Sequence, residues 1–148
     1  MILRRVLAIS AGAVGFILVF VLFDALSSLV FPTPPGFDPS DPDAVNAHLA
    51  STPPAALAII LLGATVAAFA GSYVTATVTG PGGALWGLVT GGVSLVGALT
   101  SAITNRHPMW FLAATPVGIG VASALAVWLI RRAAPPKRKS SAPPRRAA

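Results

Sequence analysis

The chain of 148 residues is 55% hydrophobic and 9% charged, with a mean hydropathy of +0.80. A water-soluble domain carries about 25% charged residues, so these values exclude an ordinary soluble globule and point to the lipid bilayer as solvent. Cysteine is absent, which excludes disulfides, thiolate metal sites and cysteine nucleophiles, and the net charge of +6 is concentrated in a tail, because seven of the ten basic residues follow Leu129.

The first apolar run covers about residues 6–31 and begins just after Arg4 and Arg5. Its uninterrupted core from Val6 to Phe23 outruns the roughly 7–15 apolar residues of a signal peptide, so it is expected to stay as an anchor. Residues 32–54 then form the one long polar interruption, holding three of the four acids and seven prolines. Within it Pro32 to Pro39 reads as an extended stretch. Asp41-Pro42-Asp43 predicts a short surface helix over 42–50, with Asp41 as cap, Pro42 at the first helical position and Asp43 on the positive end of the dipole. Thr52-Pro53 is expected to cap the next span in the same way.

Three further apolar runs follow at about 55–78, 83–104 and 109–130. Each of the four reaches the roughly 20 residues that a helix needs to cross the hydrocarbon. They are apolar all round rather than alternating, which argues against barrel strands. The links "TGPGG" (79–83) and "NRHP" (105–108) are short, and short links make consecutive helices antiparallel neighbours. The expected fold is all-α: an integral membrane four-helix up-down-up-down bundle over residues 1–132. Residues 133–148 are expected to be a disordered basic cytoplasmic tail, since nothing there is apolar and larger than alanine.

Basic residues flank the first and last runs, while the connections on the far side hold only Arg106. The positive-inside bias therefore predicts both termini in the cytoplasm. Arg131, Arg132, Lys137, Arg138 and Lys139 are placed to meet anionic lipid headgroups. The tail lacks the aromatic residues or folded reader that nucleic acid binding requires, so nucleic acid is not an expected partner.

Lipid removes most of the hydrophobic drive between helices, so small residues at every fourth position become the packing signal. Gly63, Ala67 and Gly71 form such a row in the second span, and Gly83, Gly87 and Gly91 form one in the third. The two rows are expected to face each other, or to face a membrane-protein partner or a second copy. Ala11 with Gly15 and Gly120 with Ala124 are shorter versions. Pro116 inside the fourth span is read as plain structure.

Asp24 is the one charged residue inside a span, close to the outer edge of the hydrocarbon, and His107 lies in an outer link. Together they are the candidate intramembrane polar site, either a proton or cation site or an interfacial anchor. Asp38, Asp41, Asp43 and His48 have the chemistry of metal ligands, but their spacing matches no calcium loop or zinc motif, so no metal and no cofactor is expected. Glutamate is absent, and there is no HExxH, GxSxG or phosphate-binding glycine loop; no enzymatic activity is expected.

Asp24, Phe31-Pro32, Pro34-Pro35-Gly36, Asp38, Asp41, Phe69, Gly71, His107-Pro108 and Trp110-Phe111 together resemble an uncharacterised family of small bacterial inner-membrane proteins with four spans. The resemblance covers about residues 6–131. Ser72 stands where family members often carry a second glycine, and Val30 or Phe31 where several carry a polar aromatic or histidine. The resemblance implies location and fold, and no activity. It leaves three roles open: an accessory protein acting through glycine-lined faces, a small conduit using Asp24, or an extracytoplasmic ligand or metal sensor using the 32–54 loop.

Tags on either terminus should be inaccessible from outside intact cells; removal of the C-terminal arginines by an external protease would overturn the orientation.

Overall fold

A computed structural model describes residues 2–80 and 82–133. Among the described residues there are five helices and no strand: α1 (Ile2–Val30), α2 (Pro42–Ser51), α3 (Pro54–Thr79), α4 (Gly83–Thr104) and α5 (Met109–Ala133). Four of them, α1, α3, α4 and α5, are long and apolar enough to cross a membrane. Their outward faces carry Leu18, Val93, Val117 and Val121, each more than 60% exposed. Helices that are apolar on their outer faces as well need lipid around them. The chain is an integral membrane bundle. Lys137, Arg138, Lys139 and the rest of the expected tail lie outside the described residues.

The four long helices overlie the four apolar runs. The first helix starts at Ile2 and so includes Arg4 and Arg5, and the last runs on through Arg131 and Arg132. All four long helices run up and down, and both ends of the described chain lie at one end of the bundle, here the termini end. The opposite, loop end carries residues 31–53 and 105–108.

The core is centred on α3, which packs against α1, α4 and α5. In its most apolar stretch 44% of residues are buried, against 11% for α1. Helices α3, α4 and α5 form a three-helix core. Helix α1 lies along α3 and touches α4 only slightly.

Small residues let these axes approach. A Cβ on Gly71 would lie 2.9 Å from the Gly12 carbonyl oxygen and 3.2 Å from Phe16 Cβ, and one on Gly63 would strike Phe23. The Gly63, Ala67 and Gly71 row therefore serves α1 at both glycines, while Ala67 is fully buried. A Cβ on Gly87 would instead lie 2.8 Å from Ser72 O and 3.0 Å from Ala76 Cβ, and one on Gly83 would meet Ala76 and Thr79. Gly91 meets Ser123 of α5 and Ser72. The expectation that the two glycine rows face each other is thus corrected. Position 72 adjoins 71 in sequence but is rotated by about 100° on a helix of 3.6 residues per turn. One face of α3 can therefore take α1 while the next takes α4.

The interior holds several hydroxyls, and most are satisfied locally. Thr65, Thr79 and Thr115 each donate to the carbonyl four residues back, at 2.7–2.8 Å. Thr90 reaches across to Thr75 Oγ1 at 3.0 Å, joining α4 to α3. Helix α5 continues through Pro116.

At the termini end, Arg4 Nε donates to Val78 O at 3.0 Å, one of the carbonyls left open at the end of α3. Gly80 (φ 75°) and Gly82 (φ 83°) make the turn into α4 with left-handed backbone that other residues resist. Arg5 lies over the Trp86 ring at 5.2 Å and Arg132 over Trp128 at 4.0 Å.

Gly71→Ala should cost about 1–3 kcal/mol, because the facing group is backbone and cannot step aside. Gly92→Ala, which meets nothing within 4 Å, should be neutral or stabilising by up to ~1 kcal/mol through helix propensity. Thermal unfolding of both variants in detergent checks the contrast.

Candidate functional site: a cleft between α1 and α4 and a polar cup at the loop end

Because α1 is held by α3, a cleft of about 420 Å³ separates it from α4. Ile9, Phe16 and Phe20 of α1 form one wall, and Val89, Val93 and Gly97 of α4 form the other. Ile60 and Ala64 of α3 form the floor. Phe16 and Phe20, one turn apart, stack at 6.0 Å. Four hydroxyls line the cleft, and three have their protons committed: Thr90 to Thr75, Ser94 to Thr90 O at 3.0 Å and Thr115 to Phe111 O at 2.7 Å, while Ser101 Oγ accepts from Asn105 Nδ2 at 3.3 Å.

His107 and Phe111 lie at the loop end of the cleft, their rings 4.5 Å apart. The end of α4 places His107 there. Arg106 takes a left-handed φ of 48°. Its N–H donates to Ile103 O at 3.1 Å, and that of His107 to Ala102 O at 3.0 Å, the paired bonds of a Schellman motif. Burial pushes the His107 pKa below its ordinary 6.5, and Nδ1 is buried without a hydrogen-bond partner.

A second cavity of about 570 Å³ lies between the end of α1, the 31–34 segment and α2. Asp24, Ser27 and Ser28 come from α1, and His48, Ser51 and Thr52 from α2 and its end. Phe31 and Phe37 supply aromatic surface. Ile60 lines this cup and the cleft alike, so the two adjoin across one side chain.

Local sequence builds the cup. Asp41 Oδ1 accepts from Asp43 N–H at 2.9 Å and caps α2 as expected, with Pro42 at its start. Asp38 Oδ1 accepts from Ser40 N–H at 2.8 Å and Ser40 Oγ at 2.7 Å, which holds its carboxyl below the usual carboxylate range. Thr52 does not cap α3, whose start has no side-chain cap. It closes α2 instead, donating from Oγ1 to His48 O at 2.8 Å. The expected extended stretch from Pro32 to Pro39 is broken at Pro35-Gly36, where Phe37 N–H donates to Pro34 O at 3.2 Å and Gly36 takes φ 79°. Pro-Pro-Gly is the signature of such a turn. It brings Phe37 to within 5.1 Å of the His48 ring.

Asp24 and His107, expected as one polar site, line different cavities. Asp38, Asp41 and Asp43 are engaged in turn and cap, and among the described residues no three His, Asp or Glu side chains gather as a metal site. The cleft was missed because its apolar walls read in sequence like any lipid-facing surface. The one available cue was the run of small residues Ser94, Gly97, Ala98 and Ser101 on α4.

No protein-family model, no curated protein and no solved structure matches the chain.

Because the folded protein resists protonating His107 while the unfolded chain does not, stability should be pH-independent on this account above about pH 6.5 and fall as pH drops through that value. Denaturation profiles of wild type and His107→Gln between pH 8 and 5 should converge on the acid side if this holds.

Proposed function

We propose that this is a non-enzymatic bacterial inner-membrane protein, with both termini in the cytoplasm, that binds a single lipid chain in the cleft between α1 and α4. The supporting observation is the cleft itself: largely apolar walls, few hydroxyls and about 420 Å³ of space between two helices that hardly touch. That volume lies within the ~300–1,000 Å³ of small-molecule sites. A narrow apolar groove of this size suits a hydrocarbon chain.

The glycine rows are used inside the bundle at Gly63, Gly71, Gly83, Gly87 and Gly91, and so lend no support to an accessory role through those faces. The apolar cleft wall equally disfavours an ion path from Asp24. Lipid binding is an accessory role of another kind, carried by the space beside α1.

Gly97 lines the cleft, and a Cβ there meets nothing within 4 Å. Gly97→Leu should therefore fold and fill the space. Native mass spectrometry of the full chain released from mild detergent should show a retained lipid on wild type and roughly tenfold less on the variant, about 1.4 kcal/mol. Equal retention would remove the cleft as the binding site.

A further inference from the structure

We infer that the cup at the loop end recognises a primary ammonium group, the head of an amine-bearing lipid whose chain occupies the adjoining cleft. The inference rests on the cleft binding a chain and adds the class of head.

The cup carries Asp24, the acid of α1, and no lysine or arginine among the described residues lines it. Three of its five hydroxyls are turned the same way. Ser28 Oγ donates to Asp24 O at 3.0 Å, and Ser51 Oγ and Thr52 Oγ1 both donate to His48 O at 2.8 Å. With those protons committed, each of the three offers the cup only oxygen lone pairs, and Ser27 and Thr33 line it beside them. A carboxylate and a set of acceptors call for a cation rich in donors, and an ammonium group brings three. The Phe31 and Phe37 rings favour positive charge over their faces. Among phospholipids, which share the phosphate, a glycerol head would set hydroxyls and no positive charge beside the Asp24 carboxylate, whereas an ethanolamine head sets an ammonium there.

Ile60 gives the link between head and chain, because it forms a wall of both cavities. One molecule can pass this side chain with its tail among Phe16, Phe20 and Val93 and its head beside Asp24. Asp24 is exposed in the free protein, so holding the ammonium requires no buried charge beforehand.

The experiment is lipid retention by the full-length protein, read by native mass spectrometry, with phosphatidylethanolamine, phosphatidylcholine and phosphatidylglycerol of identical chains supplied in equal amounts. Phosphatidylethanolamine should be retained about tenfold over both others, since the quaternary head keeps the charge but has no N–H to donate. Asp24→Asn, with Asp24→Ala as a second route, should abolish the preference while total retention persists. Free ethanolamine in ~100-fold excess should leave the preference intact; displacement of the lipid would assign the cup to a soluble amine and overturn the joined site. Equal retention of the three lipids by wild type, with Gly97→Leu still lowering retention, would overturn the head assignment alone. Unchanged retention by Gly97→Leu would overturn the cleft beneath it.

Discussion

Inside hydrocarbon, one helix gains nothing hydrophobic by leaving lipid for another helix, so the bundle depends on how closely backbones approach. Helix α3 meets that requirement on more than one face. Gly63 and Gly71 bring it against α1, Ser72 and Ala76 bring it against Gly87 of α4, and Thr65 meets Gly118 of α5. A larger side chain at any of these contacts would hold the axes apart and forfeit many small dispersion contacts at once. The slimness of α3 decides the architecture: the helix that can be approached from most sides becomes the centre, and α1, bound mainly to it, is left standing off from most of α4.

Most of the hydroxyls and open carbonyls in this interior find partners within the protein, the buried Ser72 and Ser123 hydroxyls beside Gly91 being exceptions. Returning the proton to the carbonyl four residues back lets Thr65, Thr79 and Thr115 sit between helices without an unmet donor. Among the described hydroxyls, only Thr90 also reaches across helices, to Thr75, beside the place where Gly87 and Gly91 draw α4 close. Arg4 and the Schellman turn at Arg106 extend the same economy to the helix ends. The two ends of the bundle differ in consequence. The termini end is closed by Arg4 on Val78 and by arginines over tryptophans, whereas the loop end leaves Asp24 facing a cavity.

How much was legible follows from which physics is local. Span lengths, short links and the Asp41 cap are written in consecutive residues, and the four long helices and α2 follow the sequence closely. Small-residue rows were legible as contact surfaces, but not their partners. Whether Gly71 meets α1 or α4 depends on helix rotation, and Ser72, one residue on, is also small. Thr52 illustrates the same limit at the end of α2: a threonine before proline can close one helix or open the next, and only the position of the His48 carbonyl decides. Cleft and cup arise from segments far apart in the chain, so Asp24 and His107 could be noticed one at a time but not assigned to separate cavities.

A cleft of this kind cannot select its occupant by apolar contact. Lipid chains are as apolar as Leu and Phe, so moving a chain from bulk lipid to the wall of Phe16, Phe20 and Val93 changes its surroundings little. What the cleft supplies is a fixed position, which turns discrimination over to whatever polar groups stand at its end. There the physics is asymmetric: a site built of acceptors rejects a head that cannot donate, because its own polar groups are then left unpaired. Asp24, with the proton-committed hydroxyls of Ser28, Ser51 and Thr52 around it, is such a site, placed where an interfacial head would rest if the tail lay against Ile60. An intramembrane acid at this depth makes sense as the selective end of an otherwise indifferent groove.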